Sequence, residues 1–214
     1  MKIAILGPPG SGKGAQTGRV AEYFNLKHVV VGDIVKQEIR DKTELGKIMY
    51  DYTKDGHFIP SQIVVDVLKK QLNSLKGYNG YIIDTAPINM EQKSLMKDIP
   101  LDAVISLDIR DFDVVRRRTM LRLICPNCRA VTSVTEAPDG ICPICGTKLE
   151  RRYDDNPKTV NARIEQFKRE TVPVLKEYEK EGKLIKIDAE LDKLSVYNQI
   201  IEKLEKFFSK TTLK

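Results

Sequence analysis

The run Gly7-Pro8-Pro9-Gly10-Ser11-Gly12-Lys13-Gly14 constrains this chain more than any other feature. A short apolar pulse, Lys2 to Leu6, precedes it, and Lys13 to Phe24 behind it carries helical spacing, with Val20, Tyr23 and Phe24 on one side. Strand, glycine loop and helix in this order fit the first seven positions of the G-x-x-x-x-G-K-[ST] phosphate loop. Glycines let the backbone curl so that several N–H groups point inward, the helix N-terminus adds partial positive charge, and Lys13 would reach the β and γ phosphates. The plainer reading, a glycine-rich turn, does not account for strand, lysine and helix in the correct order. The eighth position departs from the pattern: neither Gly14 nor Ala15 offers a hydroxyl to Mg²⁺. The metal would then be held mainly by phosphates, water and a carboxylate elsewhere. Asp84, closing an Ile-Ile-Asp stretch, is the candidate, with a helix cap or turn as its plainer role.

Short strand candidates recur at Lys27 to Val31, Tyr81 to Asp84, Ala103 to Ile109 and Leu184 to Ile187, each followed by a helical pattern. Asp33, Asp111 and Asp188 or Asp192 are plausible N-caps for the following helices. Strands alternating with helices predict an α/β fold: a parallel five-stranded sheet with helices on both faces and ligands at the carboxyl ends of the strands. Two stretches interrupt the alternation. Between Val31 and Pro60 there are only short helical patterns, around Ile34 to Ile39 and Leu45 to Tyr52. Between Leu123 and Asn156 the chain is turn-rich. The expected division is a core of residues 1–30, 60–122 and 157–214, a helical insertion at 31–59 and a second insertion at 123–156. The tail Phe207 to Lys214 reads as a frayed helix end.

The second insertion holds every cysteine of the protein. Cys125-x2-Cys128 and Cys142-x2-Cys145 are separated by thirteen residues. Paired knuckles of this kind place four thiolates at the corners of a tetrahedron, which suits structural Zn²⁺. Two disulfides or a redox pair are the alternatives; the first is disfavoured in a reducing compartment and the second needs only one pair. Zinc would fold a segment with too few apolar residues to fold alone. The start MKIAILGPPG enters the glycine loop without the long apolar region of a signal peptide, and no run of eighteen apolar residues occurs. A cytoplasmic protein is expected. The net charge of +6 fits a nucleic-acid face or a pocket for polyanionic small molecules equally well.

Arginines flank the cysteine segment: Arg116, Arg117, Arg118 and Arg122 before it, Arg151, Arg152 and Arg163 after it. Phosphoryl transfer consists largely of positioning and of cationic stabilisation of charge on the transferring group, and guanidinium groups bind phosphate in a bidentate way. Spacing puts Arg118 and Arg122 on one helix face, and Arg163 on a helix that Asn156 caps. Asp154 and Asp155 could pair with these cations. A solvated basic face is the plainer reading of each arginine alone; the clustering argues against it.

These residues resemble the adenylate kinase family, in its long form with a zinc-binding lid, almost end to end. GPPGSGKGAQ is similar to the family's phosphate loop, in which a glycine follows the lysine and a threonine is usual where Ala15 stands. Val31-Gly32-Asp33, Glu44-Leu45-Gly46 and Ile59-Pro60 resemble the insertion that closes over the monophosphate, and RTMLR followed by LICPNC resembles the entry into the lid. The resemblance implies a transferase moving a phosphoryl group from ATP, or another nucleoside triphosphate, to AMP. It implies donor contacts from Gly10, Ser11, Gly12, Lys13, Gly14, Ala15, Arg122 and the loop at Leu191. Acceptor contacts fall on Val31, Lys36, Phe58, Ile59, Gln92, Arg152 and Arg163. Catalytic roles fall on Lys13, Arg118, Arg122, Arg152 and Arg163, Mg²⁺ on Asp84 through water, and structural Zn²⁺ on the four cysteines. A monomer or small homo-oligomer is expected, with neither membrane nor nucleic-acid partner.

The departures lie in the acceptor half. The family's strand usually ends Asp-Gly-Phe-Pro-Arg; this chain reads Asp84-Thr85-Ala86-Pro87-Ile88, without the arginine, and Lys36 stands where another is expected. Lys36 and Arg40, spaced i, i+4, could together supply the missing charge. An alternative of another class is a P-loop nucleotide switch whose zinc ribbon binds nucleic acid. That reading would want aromatics interleaved with basic residues, and Cys125 to Cys145 contains none.

Overall fold

The computed structural model describes residues 1–54, 59–73, 75–128, 130–152 and 155–211. Its centre is a five-stranded sheet of β1 (Lys2–Leu6), β2 (Lys27–Val30), β3 (Tyr81–Asp84), β4 (Ala103–Asp108) and β7 (Leu184–Asp188) in the order β2-β3-β1-β4-β7. Every pairing is parallel, so each connection crosses over through helix. The inner strands β1, β3 and β4, buried on both faces, read as apolar runs, whereas the edge strands β2 and β7 expose His28 and Lys186.

Alternate residues of β1 feed two cores. Ile3 and Ile5 join Val20 and Ala21 of α1 (Lys13–Tyr23), Val160 and Ile164 of α7 (Pro157–Gln166), and Ile200 and Leu204 of α9 (Lys193–Thr211). Ala4 and Leu6 join Val65 and Leu68 of α4 (Ser61–Leu72), and Val174 and Tyr178 of α8 (Val172–Lys180). Each fully buried Ile or Leu contributes about 1.5–3 kcal/mol, which makes this three-layer core the rigid body from which the loops project. A one-turn π-helix, Phe167–Thr171, joins α7 to α8.

The helical insertion comprises α2 (Val31–Arg40) and α3 (Glu44–Lys54). Gly46 is required at their crossing: a Cβ there would sit 1.9 Å from the Glu38 carbonyl oxygen. The cysteine segment follows α6 (Phe112–Met120) as an antiparallel pair, β5 (Arg122–Ile124) and β6 (Val131–Ser133), with bridges Ile124–Glu150 and Ile141–Lys148. Its small core is Leu123, Cys125, Ala137, Cys142 and Leu149.

Several local expectations are corrected. Asp33 lies in the first turn of α2 and Val30 takes the cap position, so β2 passes into the helix without a side-chain cap. Asp192 caps α9 through the amides of Leu194 and Ser195, whereas Asp188 accepts from the Glu190 amide within a turn. Asp111 and Asn156 do cap α6 and α7. Tyr23 is largely exposed, its hydroxyl on Glu205, because the buried face of α1 is Gln16, Thr17, Val20 and Ala21. Arg122 does not extend the helix of Arg118: α6 stops at Met120 and Arg122 opens β5. Of the expected tail, α9 continues to Thr211 with Phe207 and Phe208 packed against the core, and residues 212–214 lie outside the described residues.

Candidate active site

The phosphate loop connects β1 to α1 at the carboxyl edge of the sheet. Gly10 and Gly12 occupy left-handed conformations at φ 71° and 90°, and a Cβ on Gly10 would approach the Thr119 hydroxyl to 2.7 Å. Gly12 is the cap residue of α1, without a side-chain cap, and its carbonyl accepts from the Ala15 amide at 3.0 Å and the Gln16 amide at 3.1 Å, which leaves the Lys13 and Gly14 amides as the open donors of the first turn. A Cβ at Gly14 would meet nothing within 4 Å, so crowding does not explain the missing hydroxyl. The Ser11 hydroxyl is buried without a partner among the described residues. Ala15 is partly buried in the first turn of α1.

Lys13 folds back over the loop, its Nζ donating to the carbonyls of Gly7 at 2.7 Å and Pro8 at 2.9 Å. Burial lowers its amine from 10.5 to about 8; the Asp84 carboxylate opposes that shift and Arg122 adds to it. One cation, one carboxylate and one guanidinium from three separate segments therefore share an electrostatic field at the loop. The register Ile5 to Asp84 places the carboxylate beside the end of β1. Asp84 is 5% exposed, and its Oδ1 accepts from the Thr85 hydroxyl at 2.6 Å. The other oxygen takes no hydrogen bond from the described residues, which leaves this carboxylate suited to a hydrated cation.

Arg122 is fixed by a two-pronged pair with Asp155, Nε to Oδ2 at 2.8 Å and Nη2 to Oδ1. Asp155 is almost fully buried there, so the pair ties the entry of the cysteine segment to its exit. Arg118 donates instead to the carbonyls of Ala189 at 2.6 Å, Glu190 at 3.0 Å and Leu191 at 3.2 Å. It supports the Leu191 loop, whose side chain is exposed. Arg152 and Arg163 are partly buried, Arg163 on α7. The expected pairing of lid aspartates is met by Asp155; Asp154 lies outside the described residues.

Of the residues expected to meet the acceptor, Val31 begins α2, and Lys36 is exposed and paired with Asp33 at 3.3 Å. Ile59 packs on the second core; Phe58 lies outside the described residues. Gln92 is buried at the start of α5 (Met90–Leu95). Its Oε1 accepts from the Ile88 amide at 3.0 Å, and the Thr171 hydroxyl holds the Ile88 carbonyl at 2.9 Å. The four cysteine sulfurs lie within 4.8 Å of one another. Cys125–Cys145 at 3.4 Å and Cys128–Cys142 at 3.5 Å approach the edge of about 3.8 Å that a Zn–S bond of about 2.3 Å gives a tetrahedron.

A family model described as adenylate kinase matches residues 5–183. The chain belongs to the adenylate kinase family. Curated adenylate kinases are similar over nearly its whole length. That of Archaeoglobus fulgidus is 34% identical over 218 residues, 98% of this chain and all of the relative. That of Methanothrix thermoacetophila is 34% identical over 215 residues, 97% of this chain and all of the relative. That of Thermoanaerobacter sp. strain X514 is 32% identical over 209 residues, 94% of this chain and 96% of the relative. The protein is thus an enzyme of nucleoside monophosphate phosphotransfer with a P-loop kinase fold. No helix among its described residues is long and apolar enough to cross a membrane.

Sequence reasoning missed three members of the site. Gln16 donates through Nε2 to the Lys193 carbonyl at 2.9 Å, with its Oε1 buried and unpartnered. Lys193 reaches both Glu136 oxygens at 2.7 Å, joining the cysteine segment to the start of α9. Thr119 underlies Gly10. A buried glutamine on the apolar face of α1 was the only available signal.

Proposed function

We propose that the enzyme transfers the γ-phosphoryl group of ATP reversibly to AMP, giving two ADP. The observation that carries this is that Lys13 of the phosphate loop lies within electrostatic reach of Asp84 at the end of β3 and of Arg122 at the start of β5. In this reading, the backbone of Gly10 to Ala15 cradles the donor phosphates and the unpartnered Ser11 hydroxyl gains a phosphate oxygen. Lys13 leaves the Gly7 and Pro8 carbonyls to follow charge from the γ position, because a charged ammonium binds phosphate better than it binds a carbonyl. Arg122, held by Asp155, stabilises charge on the transferring group, and Arg152 and Arg163 bridge both substrates. Arg118 acts through the Leu191 loop, whose backbone faces the donor base. Val31, Lys36, Phe58, Ile59 and Gln92 receive the monophosphate.

Asp84 would hold Mg²⁺ through water, and the ion would neutralise charge on the phosphate oxygens. The four thiolates would hold one structural Zn²⁺, since closed four-cysteine sites leave no position for substrate. Residues 1–30, 60–122 and 157–214 form the static core in this proposal, with 31–59 and 123–156 closing over the substrates. The working compartment is the cytoplasm, and the assembly a monomer or small homo-oligomer. A coupled assay over a panel of monophosphates with ATP and other triphosphates tests it. ATP with AMP should give the highest kcat/KM; a preference for another monophosphate would overturn the assignment of AMP.

A further inference from the structure

Thr85 follows Asp84 at the carboxyl end of β3 with φ at 70°, in the left-handed region. Among the described residues three that are not glycine sit there, Asn25, Lys42 and Thr85, and only Thr85 is β-branched. Its branched Cβ makes that conformation a strained one. Such strain persists where surrounding contacts over-determine it, and here they are visible. The Thr85 hydroxyl donates to Asp84 Oδ1 at 2.6 Å, and its amide donates to the Ile5 carbonyl at 3.3 Å, at the entry to the phosphate loop. Glycine, which the family resemblance expects at this position, would adopt the same φ without strain. It could not supply a hydroxyl.

We propose that Thr85 is a positioning residue for phosphoryl transfer: its hydroxyl fixes the Asp84 carboxylate in one orientation, and the strained backbone is the geometry from which it does so. The proposal rests on the reading of Asp84 as the magnesium-associated carboxylate. A buried aspartate without a local donor can turn about both side-chain torsions, presenting its oxygens in several directions. The hydroxyl claims Oδ1 and leaves Oδ2 for the hydrated cation. Turnover, rather than substrate affinity, should feel the loss, because the carboxylate acts on the arrangement of bound phosphates.

Three variants separate hydroxyl from strain. Thr85→Ser keeps the hydroxyl, Thr85→Val keeps the branched shape without it, and Thr85→Gly removes both. In the nucleotide-free protein, Thr85→Gly should melt about 2–4 °C above Thr85→Val, since both lack the hydroxyl and only valine keeps the strained branch. In steady-state assays kcat should fall about tenfold in both Val and Gly variants, equivalent to about 1.4 kcal/mol in the barrier. Serine should stay within about threefold of wild type, with both KM values nearly unchanged throughout. The valine defect should deepen as Mg²⁺ is lowered. Wild-type kcat in Thr85→Val, failure of serine to rescue, or a Thr85→Gly midpoint no higher than that of Thr85→Val would overturn the proposal. Full turnover in Asp84→Asn would instead sink the reading of Asp84 beneath it, and the melting comparison of Gly with Val would still decide the strain.

Discussion

In the proposed transfer Lys13 carries the residue-scale chemistry, and its lowered pKa gives a pH signature. In the nucleotide-free enzyme the ammonium form dominates below about pH 8. Above that, triphosphate binding must also return a proton to the amine. The apparent kcat/KM for ATP should therefore fall towards tenfold per pH unit, while kcat, which reports the loaded enzyme, holds to higher pH. Lys13→Arg should remove the limb and Lys13→Met should abolish transfer; a profile flat to pH 9.5 would refute this role. The stability sign is opposite to that of a salt-bridged lysine. Between about 8 and the ordinary 10.5 the unfolded chain binds more protons, so this group's destabilising effect shrinks as pH rises through that window. On the acceptor side, Lys36 already pairs with Asp33, which leaves the exposed Arg40 one turn on as the further cation of α2. Arg40→Ala should raise the KM for AMP about tenfold with that for ATP nearly unchanged. Equal effects on both substrates would assign the charge elsewhere.

At the scale of elements, the loop from Ala189 to Lys193 is gripped from three sides. Arg118 of α6 holds its carbonyls, Gln16 of α1 holds that of Lys193, and Glu136 of the cysteine segment holds the Lys193 ammonium. The Lys193 ammonium holds the Glu136 carboxyl below the usual range, with Thr132 and Ser133 helping. Both partners are about half exposed, so the pair is worth about 0.2–1 kcal/mol and is screened by salt. Glu136→Gln should then raise the KM for the triphosphate about two- to fivefold at low salt, with the acceptor KM little changed and the effect fading at high salt. A change in acceptor KM alone would show that the contact does not serve the donor side.

For the whole molecule, the sheet has two thick apolar cores, whereas the cysteine segment has five buried core residues among the described residues, two of them metal-ligand candidates. Its order should depend on metal. Elemental analysis should find one Zn²⁺ per chain. Chelation or Cys142→Ser should lower the thermal midpoint while leaving residual activity at low temperature. Iron in place of zinc, or a midpoint indifferent to chelator, would contradict this.

The phosphate loop, the four cysteines and the strand–helix alternation were legible in the sequence because each is a local pattern. Glycine freedom, thiol spacing and apolar periodicity act over a few residues, so order along the chain is enough to read them. Strand order was not: β1 lies between β3 and β4 because crossover packing places it there, and only then does Asp84 stand beside the loop. The placement of Arg118 on backbone carbonyls escaped the sequence, and so did the choice of Arg122 among the flanking cations as the partner of Asp155. A run of arginines has no preferred partner until the fold brings carbonyls seventy residues away, or an aspartate thirty-three away, within hydrogen-bond reach. Thr85 shows the division within one residue. The sequence determined that a β-branched side chain follows Asp84; the tertiary structure decided that its φ would be positive, because the chain must turn from β3 while its amide and hydroxyl remain bonded to Ile5 and Asp84.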